Sequence, residues 1–164
     1  MSDGLARFNS LSSDKAEGEL LPTFASRKWA ERVAAGRPYR DFAALFEACE
    51  SAWAQLEPAD WLAAFAAHPR IGERGGHAPS SSDREQAGVR TASAETMAAL
   101  AEDNRRYETR FGHVFLIFAS GRTADEVVAE LRRRMANSAE VELAVAAEEH
   151  RKITRLRLER MLSG

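Results

Sequence analysis

Cysteine is almost absent: Cys49 is alone in 164 residues. No intrachain disulfide can form, which suits a reducing compartment. No apolar run approaches the roughly 20 residues of a membrane span, so no membrane partner is expected. Neither sign of charge dominates. The 23 basic and 25 acidic residues leave a net charge of −2, which argues against a general nucleic-acid partner. There is no P-loop and no Gly-x-Gly-x-x-Gly, so nucleotide binding is not indicated. The histidines His68, His77, His113 and His150 fall in no recognised metal spacing such as His-Glu-x-x-His. Met1-Ser2-Asp3-Gly4-Leu5 offers neither a basic n-region nor an apolar h-region, so no secretory signal is expected. The chain ends Met161-Leu162-Ser163-Gly164, which is not a peroxisomal address. A cytoplasmic location is the expectation.

Helical periodicity fills the chain instead. Alanine is abundant and β-branched residues are sparse outside one short run, too few for a βαβ sheet. Phe42, Leu45, Phe46, Cys49 and Trp53 recur at helical spacing. The thiol on that stripe reads as an inert core group. Pro58 opens the next helix, where its missing N–H costs nothing, and Trp61, Leu62 and Phe65 form that helix's buried stripe. Residues 69–81 read as a loop. Ser82-Asp83-Arg84-Glu85 has the capping-box pattern and predicts a helix start. Thr123-Ala124-Asp125-Glu126 predicts a second start, for a helix to about Met135. A helix over about 93–111 places Met97, Leu100, Asn104, Tyr107 and Phe111 on one face. Ser138 caps a last helix to about Leu162. The run Val114–Ala119 is either a buried helical turn or a short extended segment. The expectation is an all-α fold, residues 1–164 forming a single compact domain of about seven to eight helices.

Chemistry concentrates around His68, in Phe65-Ala66-Ala67-His68-Pro69-Arg70-Ile71-Gly72. Pro69 restricts His68 to extended backbone angles, so a titratable ring sits where a helix must stop. Two readings stand side by side: a proton-transfer group, or a helix-terminal histidine stabilised by the helix dipole. Glu85 follows 17 residues later and completes an acid–base pair, or else is only the capping-box glutamate. Ser82 and Gln86 add a hydroxyl and an amide that can orient a polar heterocycle. Arg70, Arg74, Arg84 and Arg90 make the region locally basic without interleaved aromatics, which favours a small anionic substrate over a nucleic acid. In the last helix Arg155 belongs to a solvated face with Glu159, whereas Arg157 lies in line with His150, Ile153 and Met161. A guanidinium on that stripe either snorkels at the core edge or meets a carboxylate or a bound anion. Asn104 reads more readily as a structural hydrogen-bonding residue than as a ligand contact.

An ordered set of motifs resembles one family. It comprises the Phe8-Asn9 region, His68-Pro69-Arg70-Ile71-Gly72, Ser82-Asp83-Arg84-Glu85-Gln86 with Gly88, Asn104-x-x-Tyr107-x-x-Arg110-Phe111-Gly112 running into Phe115–Ala119, and Lys152-Ile153-x-x-Leu156-Arg157-Leu158. The chain resembles the 2-oxo-4-hydroxy-4-carboxy-5-ureidoimidazoline (OHCU) decarboxylases of purine degradation. The resemblance implies an all-helical homodimer and a decarboxylation to (S)-allantoin that needs no cofactor and no metal. It implies that His68 and Glu85 are catalytic. It also implies that Pro69, Ser82, Asp83, Arg84, Glu85, Gln86, Phe115, Leu116, Ile117, Phe118 and Ala119 line the substrate site. Arg157 joins them as an anion contact because of its apolar stripe. His113-Val114 departs from the Phe-Pro of many members. Two rival readings are a metal-dependent hydrolase of a related ureide, which predicts stoichiometric metal, and a non-catalytic helical interaction module, which predicts no turnover.

Overall fold

A computed structural model describes residues 2–73 and 79–163. It is all-α, as expected: the described residues hold nine helices and no strand. In chain order they are α1 (Asp3–Ser10), α2 (Ser13–Leu20), α3 (Arg27–Ala35), α4 (Phe42–Ala54), α5 (Pro58–Ala66), α6 (Pro79–Glu85), α7 (Ala94–Phe111), α8 (Ala124–Arg134) and α9 (Ala139–Ser163). Local chemistry sets most boundaries. Ser2, Ser26, Asp41 and Ser93 each accept a backbone N–H from the first turn of α1, α3, α4 and α7. The predicted capping box between Thr123 and Glu126 opens α8, and the Ser138 hydroxyl accepts the Val141 N–H at 3.2 Å at the start of α9. α7 ends at Gly112, whose φ of +79° supplies the left-handed cap.

Two expectations are corrected. The helix predicted to start at Ser82 begins at Pro79, so Ser82 lies inside α6 and is not its N-cap. Proline pre-set for the first helical position outcompetes the downstream serine. The predicted 69–81 loop therefore ends earlier. Arg74 and His77 lie outside the described residues. The open choice over Val114–Ala119 resolves to a segment that is neither helix nor strand.

The chain divides into two compact units, residues 1–64 with 153–164, and residues 65–152. In the first, Phe24, Trp29 and Trp53 are buried together. Trp29 and Trp53 stack at 5.8 Å between centroids, and Phe24 meets Trp61 edge-on at 5.1 Å. The Trp29 indole N–H donates to the Cys49 carbonyl at 3.2 Å. Burial pushes the Cys49 thiol well above its ordinary range, in keeping with an inert core group. The predicted Arg155–Glu159 pair forms at 3.2 Å, and the Arg155 guanidinium lies over the Phe46 ring at 4.6 Å. In the second unit, α7 and α8 enclose Leu100, Tyr107, Val127 and Leu131 together with Ile71, Val89, Phe115 and Ile117.

α1 reaches the end of α9 through a glycine. A Cβ at Gly4 would stand 1.6 Å from the Leu162 carbonyl oxygen, which is backbone and cannot swing aside. Gly4→Ala should therefore destabilise the protein by about 1–3 kcal/mol, read as a lower urea midpoint with an unchanged slope.

Candidate active site

α5 ends at Ala66, and His68 follows with its N–H donated to the Phe65 carbonyl at 3.0 Å. The imidazole is buried, 8% exposed, while Pro69 is half-buried and Arg70 exposed. Two side chains pin the strip that follows. The Gly72 N–H donates to Gln86 Oε1 at 2.7 Å, and Asn104 Nδ2 donates to the Ile71 carbonyl at 3.0 Å. Gly72 turns there with φ of +94°, a conformation that favours glycine. Asn104 thus has the structural role expected for it.

α6 contributes one buried face. Ser82, Glu85 and Gln86, spaced i, i+3 and i+4, are buried; Asp83 is half-buried and Arg84 exposed. The Gln86–Gly72 bond joins this face to the strip carrying His68. The basic surroundings are largely paired: Arg70 meets Glu108 at 2.6 Å, and Arg90 meets Asp83 at 2.7 Å. Gly88 lets the chain pass close to the Arg122 carbonyl, which an added Cβ would approach to 2.4 Å.

The segment 114–119 has no helical ladder, so side chains satisfy its backbone. Arg134 donates to the Leu116 carbonyl at 2.8 Å, and Glu149 accepts the Phe118 N–H at 3.3 Å. Phe115, Leu116, Ile117 and Ala119 are buried and Phe118 is half-buried. Arg134 itself is wholly buried and paired with wholly buried Glu142, through Nε at 2.8 Å and through Nη2. Tyr107 donates to the same carboxylate at 2.5 Å, and Asn137 Nδ2 donates to its other oxygen at 3.0 Å. Burial first, and then the hydrogen bond to Glu142, push the Tyr107 phenol far above its ordinary range. The Arg134 guanidinium also covers the Phe115 ring at 4.4 Å.

Sequence reasoning passed over one neighbour of His68. His150, on α9 and wholly buried, places its Nε2 2.6 Å from His68 Nε2, with the two rings edge to face at 82°. Its only signal in the sequence is a place on the stripe with Ile153 and Arg157. Arg157 is buried, 4% exposed, in the first unit, and donates to the Pro22 carbonyl at 3.1 Å; that burial overturns the snorkelling alternative. His113 Nδ1 donates to the Val114 carbonyl at 3.1 Å. Among the described residues, no group of three or more His, Cys, Asp or Glu side chains is set to hold a metal ion.

A helical frame that buries an imidazole and a carboxylate on two tied motifs defines a class: a small all-helical protein. The family follows from comparison with known proteins. The OHCU decarboxylase family model matches residues 9–159, and the chain belongs to this family. It is 35% identical over 153 residues to the uric acid degradation bifunctional protein TTL of Arabidopsis thaliana, covering 90% of this chain and 47% of that protein. The chain thus spans about half the length of that relative. It is 28% identical to the 2-oxo-4-hydroxy-4-carboxy-5-ureidoimidazoline decarboxylase of Haloferax volcanii, over 98% of this chain and 96% of that one. A crystal structure of an OHCU decarboxylase in the presence of (S)-allantoin superposes with a TM-score of 0.79 at 35% identity, covering 89% of this chain and 98% of that chain.

Removing one half of the Arg134–Glu142 pair leaves a buried charge without its counterpart. Arg134→Met should cost about 3–5 kcal/mol of stability by urea unfolding. Adding Glu142→Leu to it should recover part of that loss.

Proposed function

We propose that this protein decarboxylates OHCU to (S)-allantoin in urate degradation, with His68 and Glu85 as the catalytic pair. The observation that carries the reading is the Gln86–Gly72 hydrogen bond at 2.7 Å, which ties the buried Ser82–Glu85–Gln86 face to the strip holding buried His68, in a chain of this family. The substrate is primed for the reaction. Its carboxylate and hydroxyl share one ring carbon, and the neighbouring ring carbon belongs to a C=N unit. When the C–C bond to the carboxylate breaks, its electron pair enters the C=N and the nitrogen takes a proton. CO2 leaves and an enol remains. The enol hydroxyl then gives up its proton as the neighbouring carbon receives one on a single face. Net, one proton replaces CO2, and the substrate's own C=N is the electron sink, so no cofactor is required.

His68 moves the proton at the hydroxyl that becomes the carbonyl. Glu85 orients the hydroxyl and ureido groups or the imidazole. Ser82, Asp83, Arg84 and Gln86 bind polar edges of the ring, Pro69 packs against it, and the 115–119 backbone lines the far wall. The working form is a homodimer, and the lone Cys49 supports a cytoplasmic location. No described helix is long and apolar enough to cross a membrane.

OHCU generated enzymatically and followed by circular dichroism of (S)-allantoin tests this directly. His68→Ala should fold normally and lose about 10²–10⁴-fold in kcat. Full activity in that variant would remove His68 from the mechanism. Glu85→Gln should lower turnover as well; a variant that only melts earlier would reduce Glu85 to a structural residue.

A further inference from the structure

We propose that His150 is the positioning residue of His68: it engages the His68 Nε2 and so commits the ring's other nitrogen, Nδ1, to proton exchange with the substrate. The inference rests on the catalytic reading of His68 above.

At 2.6 Å, two ring nitrogens cannot both present lone pairs, nor can both present N–H groups. One Nε2 donates and the other accepts, so the two rings must hold complementary tautomers. When His68 donates from Nε2, its Nδ1 carries the lone pair and is a base. Once Nδ1 has taken the substrate's hydroxyl proton, the same Nε2–H bond becomes charge-assisted, because a neutral His150 accepts from an imidazolium. The cation formed on His68 during the reaction is thereby met by a hydrogen bond already in place.

The geometry of the pair is well supported for this task. His150 is wholly buried, and its ring centroid lies 5.6 Å from that of Phe65 and 4.6 Å from that of His68. His68 is followed by Pro69, which restricts its backbone, and its N–H is returned to the Phe65 carbonyl at 3.0 Å. Backbone and ring are therefore held from opposite ends. A glutamine at position 150 can imitate the acceptor, because its carbonyl oxygen can take the Nε2–H. A phenylalanine can fill the space and cannot accept.

The test uses the full chain. In His150→Phe, kcat should fall about 10- to 100-fold with KM within about twofold of the parent, the scale of losing the partner that orients a functional histidine. His150→Gln should recover most of that loss. In the unmodified protein, nitrogen-15 NMR of labelled histidine should show scalar coupling between the two Nε2 atoms across the shared proton, and His150→Gln should abolish it. Both variants turning over at the parent rate, or His68 coupling through Nδ1 instead, would overturn the proposal. The NMR readout stands even if His150→Phe does not fold. His68→Gln, assayed in parallel, separates the two ideas. If it is inactive while both His150 variants are unimpaired, only the role of His150 fails. If it is fully active, the catalytic reading of His68 fails.

Discussion

Arg134 and Glu142 face each other with no solvent on either side chain. Two charges in that position cost far more than they return unless further hydrogen bonds engage them. Here they are engaged: Tyr107 and Asn137 donate to the carboxylate, and the guanidinium spends its remaining reach on the Leu116 carbonyl and the Phe115 ring. The segment 114–119 crosses the second unit's interior without a backbone ladder of its own. Its polar groups must find partners in side chains or pay the desolvation penalty of an unmade bond. The ion pair and Glu149 supply those partners. α7, α8 and α9 each contribute a residue to this network, which makes it the joint on which that unit's irregular wall depends.

The same device recurs in the strip after His68. Gln86 and Asn104 hold the strip after His68 through its Gly72 N–H and Ile71 carbonyl. Neither strip is regular secondary structure, yet this one is held by two side-chain amides and 114–119 by a guanidinium and a carboxylate. Such an arrangement keeps each segment irregular in shape and ordered at once. The long α9 serves both ends of this scheme in its second-unit portion, with Glu142 and Glu149 toward 114–119 and His150 toward His68.

Most helix boundaries were legible because they rest on local chemistry. The Thr123 capping box, the Ser138 cap and Pro58 at a helix start act within one turn of themselves. Ser82 misled for the same reason: its pattern was right, but Pro79 offered an earlier start. His68 and Glu85 were legible as candidates from the forced helix stop and from the ordered motifs. Arg134 was not. It closes the run Arg132-Arg133-Arg134, which reads as a solvated basic helix end and favours the helix dipole. Arg132 and Arg133 do remain mostly exposed, with 63% and 64% of their side chains accessible, whereas Arg134 turns wholly inward. Nothing local distinguishes the third arginine from the other two.

The sequence by itself determined the all-helical class, the place where α5 must break, the inert character of Cys49 and the family to which the motifs belong. Each depends on interactions a few residues long, or on the order of residues along the chain. Only the tertiary structure decided that Val114–Ala119 is not helical, that Arg157 is buried against the Pro22 carbonyl, and that His150 meets His68. Those outcomes depend on partners 18, 135 and 82 residues away, and no local pattern encodes a partner at such a distance. An apolar run is compatible with helix or extended chain until something satisfies its backbone; here a guanidinium from α8 and a carboxylate from α9 did so, and the segment forms no helix.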